Sequence, residues 1–206
     1  MTRPNAALAK PRARRRGDEL ERALLDAAWA ELEEVGFAKL TMESVASRAK
    51  TGVAVLYRRW ANKDDLVLAA IRYYGQQHPV AMPDTGSLRE DLRILLRNVS
   101  NARLGFVAIT TATFAGLHDS AGLAPRDIRL SVIGGTPMRS HPIFLHAAER
   151  GEIDLERIPQ DVLELPFQLM RHDMIMNLAP ATDERLRSIV DDIAWPLFQR
   201  YGQSHS

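Results

Sequence analysis

The chain has 206 residues, 46% of them hydrophobic, with 27 Lys/Arg against 26 Asp/Glu and no cysteine. That length and apolar content suffice to bury a real core, and the missing cysteine excludes disulfides, thiolate metal sites and cysteine nucleophiles, which fits a reducing cytoplasm. No run approaches the ~18 uninterrupted apolar residues of a membrane span, and the N-terminus lacks the apolar core of a signal peptide, so a cytoplasmic chain without membrane contact is expected.

The near-zero net charge hides an asymmetry. Residues 1–75 carry 14 Lys/Arg against 10 Asp/Glu, and residues 76–206 carry 13 against 16. Residues 1–17 read as a basic flexible arm, with Arg3, Lys10, Arg12, Arg14, Arg15 and Arg16 and no acid. Such an arm either seeks phosphate or is a solvated tail.

From Asp18 the pattern is helical: Leu20, Ala23, Leu24, Ala27, Ala28 and Leu32 fall at three- and four-residue spacings, and Gly36 stands where the helix should end. Thr41 offers an N-cap for a short second helix carrying Met42, Val45, Ala46 and Ala49 on one face. After Lys50, Thr51 and Gly52 comes a third stripe, Val53, Leu56, Tyr57 and Trp60; Asn62 with Asp65 then opens a fourth helix through Leu66, Ala69, Ala70 and Tyr73. Residues 18–75 are therefore expected to form one helical domain.

The stretch GQQHPVAMPDTG, residues 75–86, breaks the period and marks a junction. Residues 76–206 read as a second, larger domain with helices over 87–102, 104–118, 125–132, 138–150, 160–178 and 183–200, and Gly151 at a helix end. No alternating strand pattern occurs, so the expected fold class is all-α. In 160–178, Val162, Leu165, Pro166 and Leu169 form one apolar stripe, and Leu163, Phe167, Met170 and Met174 form another beside it. In 183–200, Leu186, Ile189, Val190, Ile193, Leu197 and Phe198 keep helical spacing across Pro196, which should kink the helix. Arcs this wide serve either two contacts, the chain's own core and a partner subunit, or a single core that buries both.

Two short helices joined by a glycine-containing turn have the dimensions of a helix-turn-helix, whose second member enters the major groove of DNA. With Leu56 and Trp60 inward, Gly52, Val53 and Val55 are expected to point outward, with Tyr57 at the edge. Valine methyls can rest against the thymine C5 methyl, which only the major groove displays, while Tyr57, Arg58, Arg59 and Lys63 hold phosphates.

Residues 24–70, with the Gly36–Phe37 turn, the Thr41 cap, VASRA, LYRRW and NKDDL in register, closely resemble the DNA-binding domain of the TetR family of bacterial transcriptional regulators. The resemblance implies a three-helix helix-turn-helix domain followed by a larger helical domain for ligand binding and dimerisation. It implies a homodimer through helices 160–178 and 183–200, double-stranded DNA with a palindromic operator as partner, and a small-molecule effector that changes the separation of the two heads. Carried over by position, Thr41, Tyr57 and Lys63 match phosphate contacts, and Gly52, Val53, Ala54 and Val55 match base-facing positions. Two departures stand out. Lys50 replaces a common glycine, so it either adopts a left-handed conformation at roughly 1–2 kcal/mol or the turn is rearranged around Gly52. Val53 and Val55 replace the frequent Lys and Thr, so no operator sequence is inherited.

Other signals carry no chemistry. His118, Asp119 and Ser120 are consecutive and cannot converge as a triad; no phosphate-binding or dinucleotide-binding glycine motif occurs, and the sequon at Asn98 falls inside an expected helix. His141, His146 and His172 are read as ordinary core or pocket residues, so neither metal nor cofactor is expected. Phe106, Thr110, Phe114, His118, Met138, Phe144, Phe167, Met170 and His172 supply apolar walls with a few polar points, the composition of a small-molecule site or of plain bundle core. The threonine hydroxyls on this helix contact either a ligand or their own preceding turn. The expectation is a non-enzymatic regulator, a repressor released by an effector; its rivals are a DNA-binding dimer without effector and a helical enzyme or ligand carrier.

Overall fold

A computed structural model describes residues 17–127, 130 and 137–202, and every regular element among them is helical. The basic arm expected over residues 1–17 lies outside the described residues except for Gly17. Of the helix expected over 125–132, residues 125–127 and 130 are helical and the remainder is likewise outside them.

Helix α1 (Asp18–Lys39) opens with Asp18, Glu19 and Glu21 in its first turn, where carboxylates oppose the positive end of the helix dipole. It breaks at Gly36, whose φ of 75° and ψ of 168° suit a residue without Cβ. Helix α2 (Met42–Arg48) starts with a reciprocal cap: Thr41 Oγ1 accepts from Ser44 N at 3.0 Å, and Ser44 Oγ accepts from Thr41 N at 3.1 Å. Lys50 turns the chain toward the next helix with φ 56°, so the turn keeps its left-handed residue despite the side chain. Helix α3 (Val53–Tyr57) is shorter than its apolar stripe suggested. The chain leaves the helix at Arg58, yet Arg59 N and Trp60 N both donate to Leu56 O, at 2.8 and 2.9 Å, which returns Trp60 to the core. Helix α4 (Lys63–Gln77) is capped by Asn62, whose Oδ1 accepts from Asp65 N at 2.9 Å. It runs two residues past the start of the expected junction.

Two separate segments were expected over 87–102 and 104–118, but the chain builds one helix, α5 (Leu88–Ala121), of 34 residues. Gly105 lies inside it and does not stop it. A mid-helix glycine costs only about 1 kcal/mol against alanine, and packing on both halves outweighs that. At 1.5 Å per residue α5 is roughly 50 Å long, and it belongs to two cores. Leu88, Leu92, Leu95 and Leu96 join the C-terminal core, while Leu117, with Ile109 and Phe114 beside it, packs with α1–α4. Gly116 lies against the Phe37 ring so closely that no Cβ fits there.

The segment expected as one helix over 138–150 divides into a 3₁₀ turn (Met138–Ser140) and α6 (Pro142–Glu149), with Pro142 at the first helical position. Gly151 follows with φ 75°. Helix α7 (Gln160–Asn177) contains Pro166. Helix α8 (Asp183–Arg187) passes through a π-helical segment (Ser188–Ala194) into α9 (Trp195–Gly202). Trp195 N donates to Val190 O, five residues back. The wider turn explains how the rod tolerates Pro196, which has no N–H and whose ring conflicts with the carbonyl four residues earlier. Ion pairs bind these helices to α5: Asp191 Oδ1 accepts from Arg89 Nε at 2.7 Å, and both Asp191 oxygens accept from Arg93 Nη2, at 2.8 and 2.7 Å. No helix among the described residues is long and apolar enough to cross a membrane.

Candidate nucleic-acid interface and effector cleft

Of the five residues of α3, Val55 and Leu56 are buried and Ala54 and Tyr57 are exposed, and this burial pattern corrects the expected outward face. Val55 is only 8% exposed and sits with Leu56 in the head's core. It does not project as a methyl contact. Successive residues of a helix are about 100° apart, so the outward edge runs through Ala54, Tyr57 and Arg58, with Val53 half-buried beside it. The expectation centred the buried stripe on Leu56 and Trp60. Because the helix ends at Tyr57, Trp60 reaches the core from the following turn and the buried face of the helix widens to take in Val55.

Tyr57 is 50% exposed, and Gly52, Arg58 and Arg59 are exposed on the same side. Thr41, also exposed, uses its oxygen lone pair for Ser44 N and keeps its hydroxyl proton available to an acceptor. Lys63 is less free than its sequence position implies. Its Nζ donates to Phe37 O at 3.1 Å and lies 4.2 Å from the centre of the Phe37 ring, which leaves two of its three N–H groups. The first turn of α4 carries Asp64 and Asp65, so the helix dipole there already has its counter-charge. Arg48, near these groups in sequence, is held by α1. It bonds Glu34 and Glu31, the latter at 2.6 Å, and these hydrogen bonds raise its pKa further.

The residues expected around a ligand do not gather at one place. Phe106, Phe167 and Met170 border a cleft of about 310 Å³ between the last turn of α4, the middle of α5 and α7. Phe144 does not reach it: the ring is fully buried and packs edge-on against Phe167 and Phe198, with centroids 6.5 and 5.9 Å away. His172 faces solvent and meets Asp173 at 3.3 Å, because it lies two residues, about 200° of helix, from both Met170 and Met174 of the buried face. Thr110 Oγ1 donates to Phe106 O at 2.8 Å, its own preceding turn, and Thr113 does the same to Ile109 O at 2.7 Å. Phe114 packs toward the head; His118 lies exposed near the end of α5, its Nδ1 3.3 Å from Leu123 O. Met138 packs at the edge of the C-terminal core. His141, beside Phe144 and Phe167, has its pKa lowered by burial. Among the described residues no three His, Asp or Glu side chains could hold a metal.

Sequence reasoning missed Arg103 and Gly75. Arg103 Nη2 donates to Gly75 O at 2.9 Å, its guanidinium lies 5.4 Å from the centre of the Phe106 ring, and both residues line the cleft. The signal was present as an isolated cation on an apolar stretch of helix, but its partner is a backbone carbonyl that no spacing reveals. A wider groove of about 640 Å³ runs along α1 beside Arg48 and Lys50. Its walls, which include Glu19, Arg22 and Asp26, are of mixed charge and lack aromatic residues, unlike a small-molecule site.

Comparison with known proteins adds a family context. Residues 24–70 match the family model for bacterial regulatory proteins of the tetR family, and residues 82–193 match that for a tetracyclin repressor-like C-terminal domain. An uncharacterized HTH-type transcriptional regulator of Mycobacterium tuberculosis is 31% identical over 82% of this chain and 83% of its own length. A DNA-binding transcriptional repressor TetR of Mycobacteroides abscessus is 26% identical over 86% and 93%. Among solved structures, a tetR-family transcriptional regulator from Mesorhizobium loti superposes with a TM-score of 0.63 at 14% identity, over 89% of this chain and 97% of that one.

Proposed function

The chain belongs to the TetR family of bacterial transcriptional regulators, and from that premise we propose that it is a homodimeric repressor that leaves its operator when a small molecule enters the cleft between α4, α5 and α7. The observation that carries the DNA half of this reading is the outward edge of the head. Ala54, Tyr57 and Arg58 share that edge, with exposed Gly52 and Arg59 close by, and none of these residues is acidic. The methyl of Ala54 and the half-buried Val53 take the base-facing role first assigned to Val55. Thr41, Tyr57, Arg58, Arg59 and the remaining donors of Lys63 grip phosphates, which fixes register without reading sequence.

The second copy is supported by apolar side chains that the C-terminal core leaves partly uncovered. Val162, Leu165 and Leu169 on α7, and Ile193 and Leu197 along the last rod, are half-buried, with Val162 and Leu169 at the edge of that core. Joined by twofold symmetry, these faces bury one another and present two heads to a palindromic operator, with half-sites roughly 34–36 Å apart or a multiple of that. Residues 1–17 serve as the basic arm, 18–75 as the reading domain and 76–206 as the effector and dimerisation domain. The role is regulatory, not enzymatic, and is exercised in the cytoplasm. α5 is the mechanical link, since one half lines the cleft and the other packs on α1–α4.

Fluorescence anisotropy on duplex DNA from the chain's own upstream region tests this. Affinity is expected to fall by about 10³-fold or more between 50 and 200 mM salt, because each neutralised phosphate releases counterions. Arg58→Ala should weaken all sequences alike. A flat salt response, or equal affinity for operator and random DNA, sinks the reading.

A further inference from the structure

Arginine 103 is the least satisfied cation among the arginines whose partners are resolved. Arg48, Arg93 and Arg150 each face carboxylates, and those contacts raise their pKa values. Arg103 has one hydrogen-bond partner, the Gly75 carbonyl; its Nη1 is buried and donates to no protein acceptor. That nitrogen belongs to a side chain lining the cleft, whose wall includes Arg171 and neither Asp nor Glu. Apart from Gln76 and Gly75 the rest of the wall is apolar, with Phe106, Phe167, Met170 and Met174 among it. Resting on the effector reading above and narrowing it to a chemical class, we propose that the cleft takes a compact amphiphilic carboxylate, with its anionic group on the Arg103 guanidinium and its hydrocarbon body against these four side chains.

Two considerations select this class. A part-buried guanidinium with an unpaired N–H group has lost hydration without full replacement, and a carboxylate in the cleft restores a charge-assisted partner, whereas a neutral ligand does so only weakly. Burial indeed pushes the Arg103 pKa down, yet a guanidinium stays charged at any physiological pH. The volume, about 310 Å³, lies at the small end of the ≈ 300–1,000 Å³ typical of ligand sites, which favours a medium-chain or bicyclic aromatic acid over a large conjugate. Position adds a regulatory consequence. The same guanidinium holds Gly75 near the end of α4, and Phe106 continues a ring stack through Tyr74 to Trp29 on α1, with centroids 5.9 and 3.9 Å apart. An anion on Arg103 therefore bears on two helices of the head.

The test uses the full-length protein without DNA. Calorimetric titration compares decanoate with decanamide and 1-naphthoate with 1-naphthamide. At least one acid should bind about tenfold or more tightly than its amide, as expected of one hydrogen bond to a charged group. Arg103→Met should erase that preference in a protein whose thermal melt remains cooperative, and Arg103→Lys should keep part of it. If Arg103→Met does not fold, the acid-over-amide preference of the unaltered chain and its weakening at high salt decide the matter. Equal affinity for acid and amide, no binding of either acid up to millimolar concentration, or unchanged acid affinity in folded Arg103→Met overturns the proposal. A carboxylate that binds through Arg103 but leaves operator affinity unaltered supports the ligand class while refuting the release reading.

Discussion

The two ends of the molecule handle charge in opposite ways. In the head, polar groups are satisfied over short or moderate separations: Thr41 caps with Ser44, Asn62 caps with Asp65, Arg48 reaches back 17 and 14 residues to Glu31 and Glu34, and Lys63 reaches Phe37 O. Beside α3, Arg58 and Arg59 stand in solvent. In the C-terminal region several polar contacts join residues much farther apart in sequence. Asp191 binds Arg89 and Arg93 across about a hundred residues, Asp91 meets Arg150 at 3.4 Å, and Arg103 is left with a single backbone partner beside a cleft. A surface built mostly from shorter-range contacts suits a part that reads a fixed groove. On the release reading proposed above, a region held by long-range pairs and carrying an unsatisfied buried donor responds to what fills its cleft.

The contrast can be broken most strongly from inside the head. Leu56 is fully buried, and Leu56→Ala should remove about 2–5 kcal/mol of stability through lost transfer energy and a cavity. Chemical denaturation should show that loss. If the C-terminal core melted at an unchanged denaturant concentration, the two regions would be energetically separate and α5 would not couple them. Gly116→Ala forces a Cβ into the Phe37 ring and should destabilise by about 1–3 kcal/mol through overpacking. Because the strain falls at the contact between α5 and the head, it should alter operator affinity as well as the melt; a change in neither would remove α5 as the link.

Asp191 sharpens the long-range side. Burial opposes its ionisation, but hydrogen bonds from Arg89 and Arg93 outweigh it and hold its pKa below the ordinary carboxylate value. A depressed folded-state pKa means stability that is fully present above the unfolded value near 3.9 and is lost as pH falls through the folded one. Asp191→Asn should therefore cost about 1–3 kcal/mol near neutrality and flatten the acid limb of the stability curve. An acid limb identical to that of the unaltered chain would show that the pair contributes nothing. The smallest effect belongs to the turn. Lys50 holds φ 56°, and Lys50→Gly should stabilise by up to about 1 kcal/mol, since relief of the left-handed strain is partly offset by the freer unfolded chain. A destabilised Lys50→Gly would mean that the lysine side chain has a native partner of its own.

Much of the head was legible in the sequence because its signals are short-range. Gly36, Thr41, Lys50 and Asn62 each act on residues within four positions; Gly36, Thr41 and Asn62 took the expected conformation or cap, and Lys50 took the left-handed one of its two open alternatives. Val55 was not legible. Whether a valine beside Leu56 faces core or groove depends on where α3 stops, and that is set by the packing of Trp60 from the next turn. The expected ligand residues scattered for a similar reason: Phe144, Thr110 and His172 have suitable chemistry, but their helical phases send them to the core, back to their own helix and to solvent.

By itself the amino-acid sequence determined that the regular elements of this chain are helical, where its reading head turns, and which family it resembles, since periodicity, caps and turn residues act over a few positions. Only the tertiary structure decided that α5 runs unbroken through both cores, that Ala54 and not Val55 stands outward, and that Arg103 meets Gly75 at the edge of an apolar cleft. Each of these depends on which surfaces meet across tens of residues, where burial worth several kcal/mol overrides a helix preference of about one.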